Sequence, residues 1–154
     1  VFISSVHRYL SDVHCEKMNN PYRSGTADVW YSGNVGDLWI EYKYVPKIPK
    51  HAQIIPDLSE NQKLWLLSRR AEGRTVFVVV GSPDGAVVIP PDRWLLGVSP
   101  AEYMMLIQSR RELADWIRTQ TGIRTCISQE MFSSLQKSSL PLTGSSRRRS
   151  SSQS

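Results

Sequence analysis

Phe2, Ile3, Val6 and Leu10 recur at helical spacing, which predicts a short amphipathic helix over residues 2–10. Residues 13–18 read as a brief strand, and residues 19–25 carry turn formers (Asn19, Asn20, Pro21, Ser24, Gly25). Two runs rich in aromatic and β-branched residues follow, 27–31 and 38–45. The stretch from Ser32 to Asp37 between them is turn chemistry, so the pair is expected as a hairpin. Pro46, Pro49 and Pro56 break up a loop, and Ser59 caps a helix that runs towards Gly73. Thr75 to Val80 is a continuous apolar run, as suits a strand buried on both faces. Pro83-Asp84-Gly85 turns the chain, and residues 86–89 are expected to pair back as another strand. Ser99 and Ser109 each stand three residues before a glutamate, the capping-box pattern. Ser109 opens a helix with Leu113, Trp116 and Ile117 on one face, stopped by Gly122.

Helices interleaved with strands in this order predict a small α/β domain with a mixed sheet flanked by helices. The expected organisation is a core over residues 1–97, a helical extension over 98–132 packed on it, and a disordered Ser/Arg-rich tail over 133–154. Charge agrees with that division. The net charge is +5, but Lys137, Arg147, Arg148 and Arg149 contribute four positive charges to a segment with no acids. The rest of the chain is nearly neutral, so overall charge is weak support for a nucleic-acid partner. No apolar run approaches the ~18 residues of a membrane span. Cys15 and Cys126 lie far apart without metal-site spacing. No signal-peptide pattern opens the chain, so a reducing cytoplasm is the expected compartment.

The candidate chemistry lies in the hairpin. With the turn at Asn34 and Val35, Asp28 falls opposite Glu41, with Cβ atoms ~5 Å apart. Lys43 falls opposite Thr26, and Glu41 and Lys43, two apart on one strand, share a face. Leu38, Ile40, Tyr42 and Tyr44 form the other face and supply core contacts. Two adjacent carboxylates repel unless a cation or proton neutralises one. A hard divalent ion such as Mg²⁺ does this with one or two carboxylates and several waters. The backbone carbonyl of Tyr42 is a candidate third protein ligand. Such an ion polarises a phosphodiester and activates water, with Lys43 beside it to orient that water or stabilise developing charge. A plain cross-strand ion pair on a solvent face accounts for the same three residues, and spacing alone leaves both readings open.

The spacing Asp28…Glu41-x-Lys43 resembles the PD-(D/E)XK nuclease signature. Gly25-Thr26-Ala27-Asp28, Ile40-Glu41-Tyr42-Lys43, Leu58-Ser59 with Gln62 and Trp65, and Gly73 with the run to Gly81 resemble its VRR-NUC branch. They are similar to its small stand-alone members from bacteriophages. The resemblance covers roughly residues 1–95, and Ala27 stands where the family usually has proline. It implies a restriction-endonuclease-like α/β core and a Mg²⁺-dependent DNA endonuclease in which Mn²⁺ substitutes, working in the host cytoplasm if phage-encoded. Asp28 and Glu41 then look like metal ligands, Lys43 the catalytic lysine, Gln62 the glutamine of the following helix, and Glu16 an upstream acidic residue. Gln62 also fits a capping box with Ser59, and Glu16 a surface ion pair. His14 is more commonly structural than a ligand, and His7, on an exposed-looking helix, is assigned no role. Trp65 and Trp116 fall on apolar helix faces and are expected in the core.

Tyr22, Arg23 and Ser24 before the first hairpin strand, and Lys47, Lys50 and His51 after the second, are candidate DNA contacts. Contacts to phosphate of this kind position a strand without reading its sequence. With no evident base-reading element, structure-directed or loosely specific cleavage of branched or flapped DNA is expected. The arginines at 147–149 are a candidate source of added DNA affinity. A homodimer would set two sites against two strands. The competing readings are a catalytically inactive nucleic-acid-binding module of the same fold and a protein-interaction domain.

Overall fold

The structure, a computed structural model, describes residues 1–20, 22 and 24–122. Arg23, Cys126, the end of the expected extension and the whole 133–154 segment, with its three arginines, lie outside the described residues. The elements are α1 (Phe2–His7), β1 (His14–Lys17), β2 (Val29–Ser32), β3 (Asp37–Tyr44), α2 (Glu60–Ala71), β4 (Val76–Gly81), β5 (Ala86–Ile89), a 3-10 turn (Pro91–Arg93), α3 (Pro100–Leu106) and α4 (Arg110–Thr121). The five strands form one mixed sheet in the order β1-β2-β3-β4-β5. Every pairing is antiparallel except β3 with β4. That parallel step follows from α2, which carries the chain back across the sheet before β4 begins. The mixed sheet with flanking helices is the architecture the element order predicts.

The strand period of two divides the sheet into two faces. On one, Val29, Tyr31, Leu38, Ile40, Tyr42, Val79 and Ala86 pack against Val6 of α1 and Leu113, Ala114 and Ile117 of α4. On the other, Val76, Val78, Val80, Val87 and Ile89 pack against Leu66 of α2, Tyr103 of α3 and the buried Trp94. The apolar run of β4 serves both cores. Trp116 packs edge-on against Phe77 at 5.0 Å in the first, and Trp65 is half-buried beside the second. Val1–Ile123 forms one compact unit. Among the described residues, no helix is long and apolar enough to cross a membrane.

Three local expectations change. The first helix stops at His7 rather than residue 10, with Arg8 as its C-cap. Successive tight turns then carry Leu10 and Val13 into the same core, so the apolar spacing marks burial beyond the helix. His7 is half-buried, and its Nε2 lies 2.9 Å from the Tyr31 hydroxyl, which is 2.6 Å from that of Tyr42. Burial, and then the Lys17 charge, hold the His7 pKa below its usual value. Finally, β2 begins at Val29, two residues later than expected, for a reason that belongs to the site.

Candidate metal centre and active site

Register places the acidic residues. Val29 pairs with Ile40 and Trp30 with Trp39, so the hairpin has the predicted alignment and Asp28 stands across from Glu41. Continued one step further, the ladder would pair the Tyr42 N–H with the backbone of residue 27. Instead the Asp28 carboxylate takes that N–H, Tyr42 N donating to Asp28 Oδ2 at 2.9 Å. The side chain replaces a rung of the sheet, which is why β2 starts late and why Thr26 does not face Lys43 within a ladder. Tyr42 offers its carbonyl to the same side of β3 as its N–H. Its phenol lies in the opposite core.

Glu41 is not on a solvent face. Its side chain is 1% exposed, in the layer beneath α2. The Lys43 side chain is 22% exposed, and its ammonium reaches Glu41 Oε1 at 3.0 Å. Gln62 Nε2 donates to the same oxygen at 2.5 Å. Gln62 Oε1 in turn accepts from Lys43 Nζ at 3.0 Å and from the Ser59 backbone N–H at 3.0 Å. The Ser59 hydroxyl accepts the Gln62 N–H at 3.3 Å, completing a capping box. The two roles weighed for Gln62 are therefore one. Two donors on its carbonyl oxygen leave its amide nitrogen free only to donate, and the helix cap aims that nitrogen at Glu41.

The second Glu41 oxygen, Oε2, is buried with no hydrogen-bond partner. Burial, and then the neighbouring Asp28 carboxylate, push the Glu41 pKa up to about 7 against the opposing pull of Lys43. A buried carboxylate oxygen without a partner is costly unless a proton or cation meets it. Asp28 and Glu41 thus fit a hard divalent ion on the chemistry of their donors and on this orphaned atom. Among the described residues no group of three or more His, Cys, Asp or Glu side chains converges on a metal position. The carboxylate set is Asp28 and Glu41, which suits Mg²⁺ and its retained waters better than a cation needing a full protein cage.

The other candidates are dispersed. Glu16 lies on β1 opposite Trp30, on the face that carries Glu41. Its carboxylate is exposed and lies 3.6 Å from His14 Nε2, two residues back on the same strand. Tyr22 is 93% exposed. The Ser24 hydroxyl accepts from Asn61 Nδ2 at 2.6 Å, which ties the loop before Asp28 to the first turn of α2. Gly25 permits that approach. It has φ +98°, and a Cβ there would meet the Asn61 backbone at 2.5 Å. Asn61 carried no sequence signal, because its role depends on a loop 37 residues away. Lys47, Lys50 and His51 are exposed on the loop that follows β3.

No protein-family model matches the chain, and no curated protein matches it. Among solved structures it is similar to Hjc, a Holliday junction resolvase from the archaeal hyperthermophile Archaeoglobus fulgidus, at 16% sequence identity and a TM-score of 0.46 over 73% of this chain and 96% of that one.

Proposed function

We propose that this chain is a divalent-metal-dependent DNA endonuclease of the VRR-NUC type, with structure-directed or loosely sequence-specific cleavage. The observation that carries the reading is Glu41: a buried carboxylate with one oxygen engaged by Lys43 and Gln62, the other without a partner, beside Asp28. Asp28 and Glu41, with the Tyr42 carbonyl, would hold Mg²⁺, for which Mn²⁺ substitutes. When bound, the ion would polarise a phosphodiester and lower the pKa of an attacking water. Lys43 is restrained from two sides, so its ammonium is preorganised to stabilise the negative charge that develops on the phosphoryl group. Gln62 positions both partners. Tyr22, Arg23, Ser24, Lys47, Lys50 and His51 are proposed to position the strand through phosphate contacts. A homodimer presenting two sites to two strands belongs to the same reading.

Incubation of supercoiled plasmid with purified protein and Mg²⁺ tests it. Wild type is expected to nick, while Lys43→Ala and Asp28→Ala each lose at least about 100-fold in rate. Equal traces of cutting in all three would sink the reading. Labelled junctions, flaps, hairpins and linear duplexes then rank substrates. The inactive-module alternative predicts salt-sensitive DNA retention with no metal-stimulated cutting.

A further inference from the structure

The face that carries Glu41 is covered unevenly. Leu66 of α2 and Tyr103 of α3 cover its β4–β5 end. At its β1–β2 end the side chains of His14 and Glu16 are exposed. From this end towards the second core runs a row of rings. His14 meets Trp30 edge-on at 5.3 Å, Trp30 stacks on Trp39 at 5.9 Å with 22° between planes, and Trp39 meets Trp65 edge-on at 5.6 Å. Trp30 and Trp39 are directly paired across β2 and β3 and are both half-buried. Asp28 precedes Trp30 by two residues and Glu41 follows Trp39 by two, so the row lies on the carboxylates' face, about 7 Å along the strands.

We infer that the Trp30–Trp39 row is a stacking platform for unpaired nucleobases of the substrate strand, adjoining the site where that strand is cut. The inference rests on the nuclease reading and deepens it by naming the substrate class. Three observations select a base as the occupant. The platform is contiguous with the carboxylate pair. None of the large exposed aliphatic side chains lies on β1 or β2, so an apolar peptide finds little to grip. Glu16 and Asp37 flank the row on the same face and repel phosphate. A duplex, which presents its phosphates outward, is disfavoured there, whereas a splayed strand can turn a base inward and keep its phosphates away. Base–aromatic stacking tolerates any sequence, in keeping with loose specificity.

The test uses the full chain in EDTA with a twelve-nucleotide oligothymidylate carrying one central 2-aminopurine, and with a blunt duplex of equal length. Wild type is expected to quench the 2-aminopurine on binding. Trp30→Leu is expected to bind the oligothymidylate roughly tenfold more weakly without that quenching, and Trp30→Phe within about threefold of wild type. Duplex affinity is expected to be the same in all three. Undiminished single-strand affinity and quenching in Trp30→Leu overturns the platform. Should Trp30→Leu fail to fold, wild type and Trp30→Phe decide it, since an absence of quenching in both is equally fatal. Plasmid nicking is read separately. Its failure with Trp30-dependent quenching intact removes the nuclease reading and leaves the platform standing, and the reverse outcome removes only the platform.

Discussion

Glu41 joins a side chain 1% exposed to a pKa raised from the ordinary 4.5 to about 7. The sign of the consequence follows from linkage. Between those values the metal-free native protein keeps a proton that the unfolded chain has lost. The contribution to stability is complete below about pH 4.5 and is lost as pH rises through about 7, a change on the order of 3 kcal/mol at most. Urea unfolding in EDTA should therefore show wild type losing stability from pH 5 to pH 8, and Glu41→Gln losing less. Gln62 separates helix capping from positioning. Ser59→Ala removes the hydroxyl of the cap but keeps the backbone N–H that holds Gln62 Oε1. It should lower stability by about 1 kcal/mol and leave the nicking rate within about twofold. Gln62→Ala leaves Lys43 and Glu41 without their bridge and should slow nicking about tenfold or more. Denaturation midpoints and single-turnover rates distinguish the two. The capping pattern of Gln62 was visible in sequence because it is local. Its second role was not, because Glu41 stands 21 residues away and meets it only through tertiary packing.

At the scale of elements, most boundaries follow from periodicity and caps. Ser59, Ser99 and Ser109 all head helices with capping boxes, as their spacing to Gln62, Glu102 and Glu112 predicts. The departures occur where a side chain competes with backbone. Asp28 takes a hydrogen bond that β2 would otherwise have made, and no propensity argument contains that choice. The loop before Asp28 is equally dependent on its neighbour. Gly25→Ala introduces a Cβ 2.5 Å from the Asn61 backbone at a left-handed residue, so the loop must move away from α2. Gly25→Ala should weaken Mn²⁺ binding by calorimetry several-fold while changing the urea midpoint far less than a core truncation. Unchanged affinity would show that the loop does not position Asp28.

For the whole molecule, the two-sided sheet is the unit of stability. Leu113, Ala114 and Ile117 of α4 are fully buried against β2 and β3. Arg118 of α4 holds Asp12 through Nε and Nη2 at 2.8–3.1 Å and donates to the Tyr9 carbonyl, fastening the helix to the turn after α1. A chain ending at residue 97 should therefore expose the apolar face of β2–β3 and lose the cooperative unfolding of the full chain. Circular dichroism melts of the two chains check this.

The order of elements, the hairpin alignment and the grouping of Asp28, Glu41 and Lys43 were legible from the chain alone, because strand parity, turn chemistry and helix caps act over a few residues. The burial of Glu41, the orphaned Oε2, the Gln62 bridge and the aromatic row belong to the tertiary structure. Each depends on which part of the sheet α2 covers, and that is decided by the competition of distant apolar surfaces for the same cover, not by any local pattern.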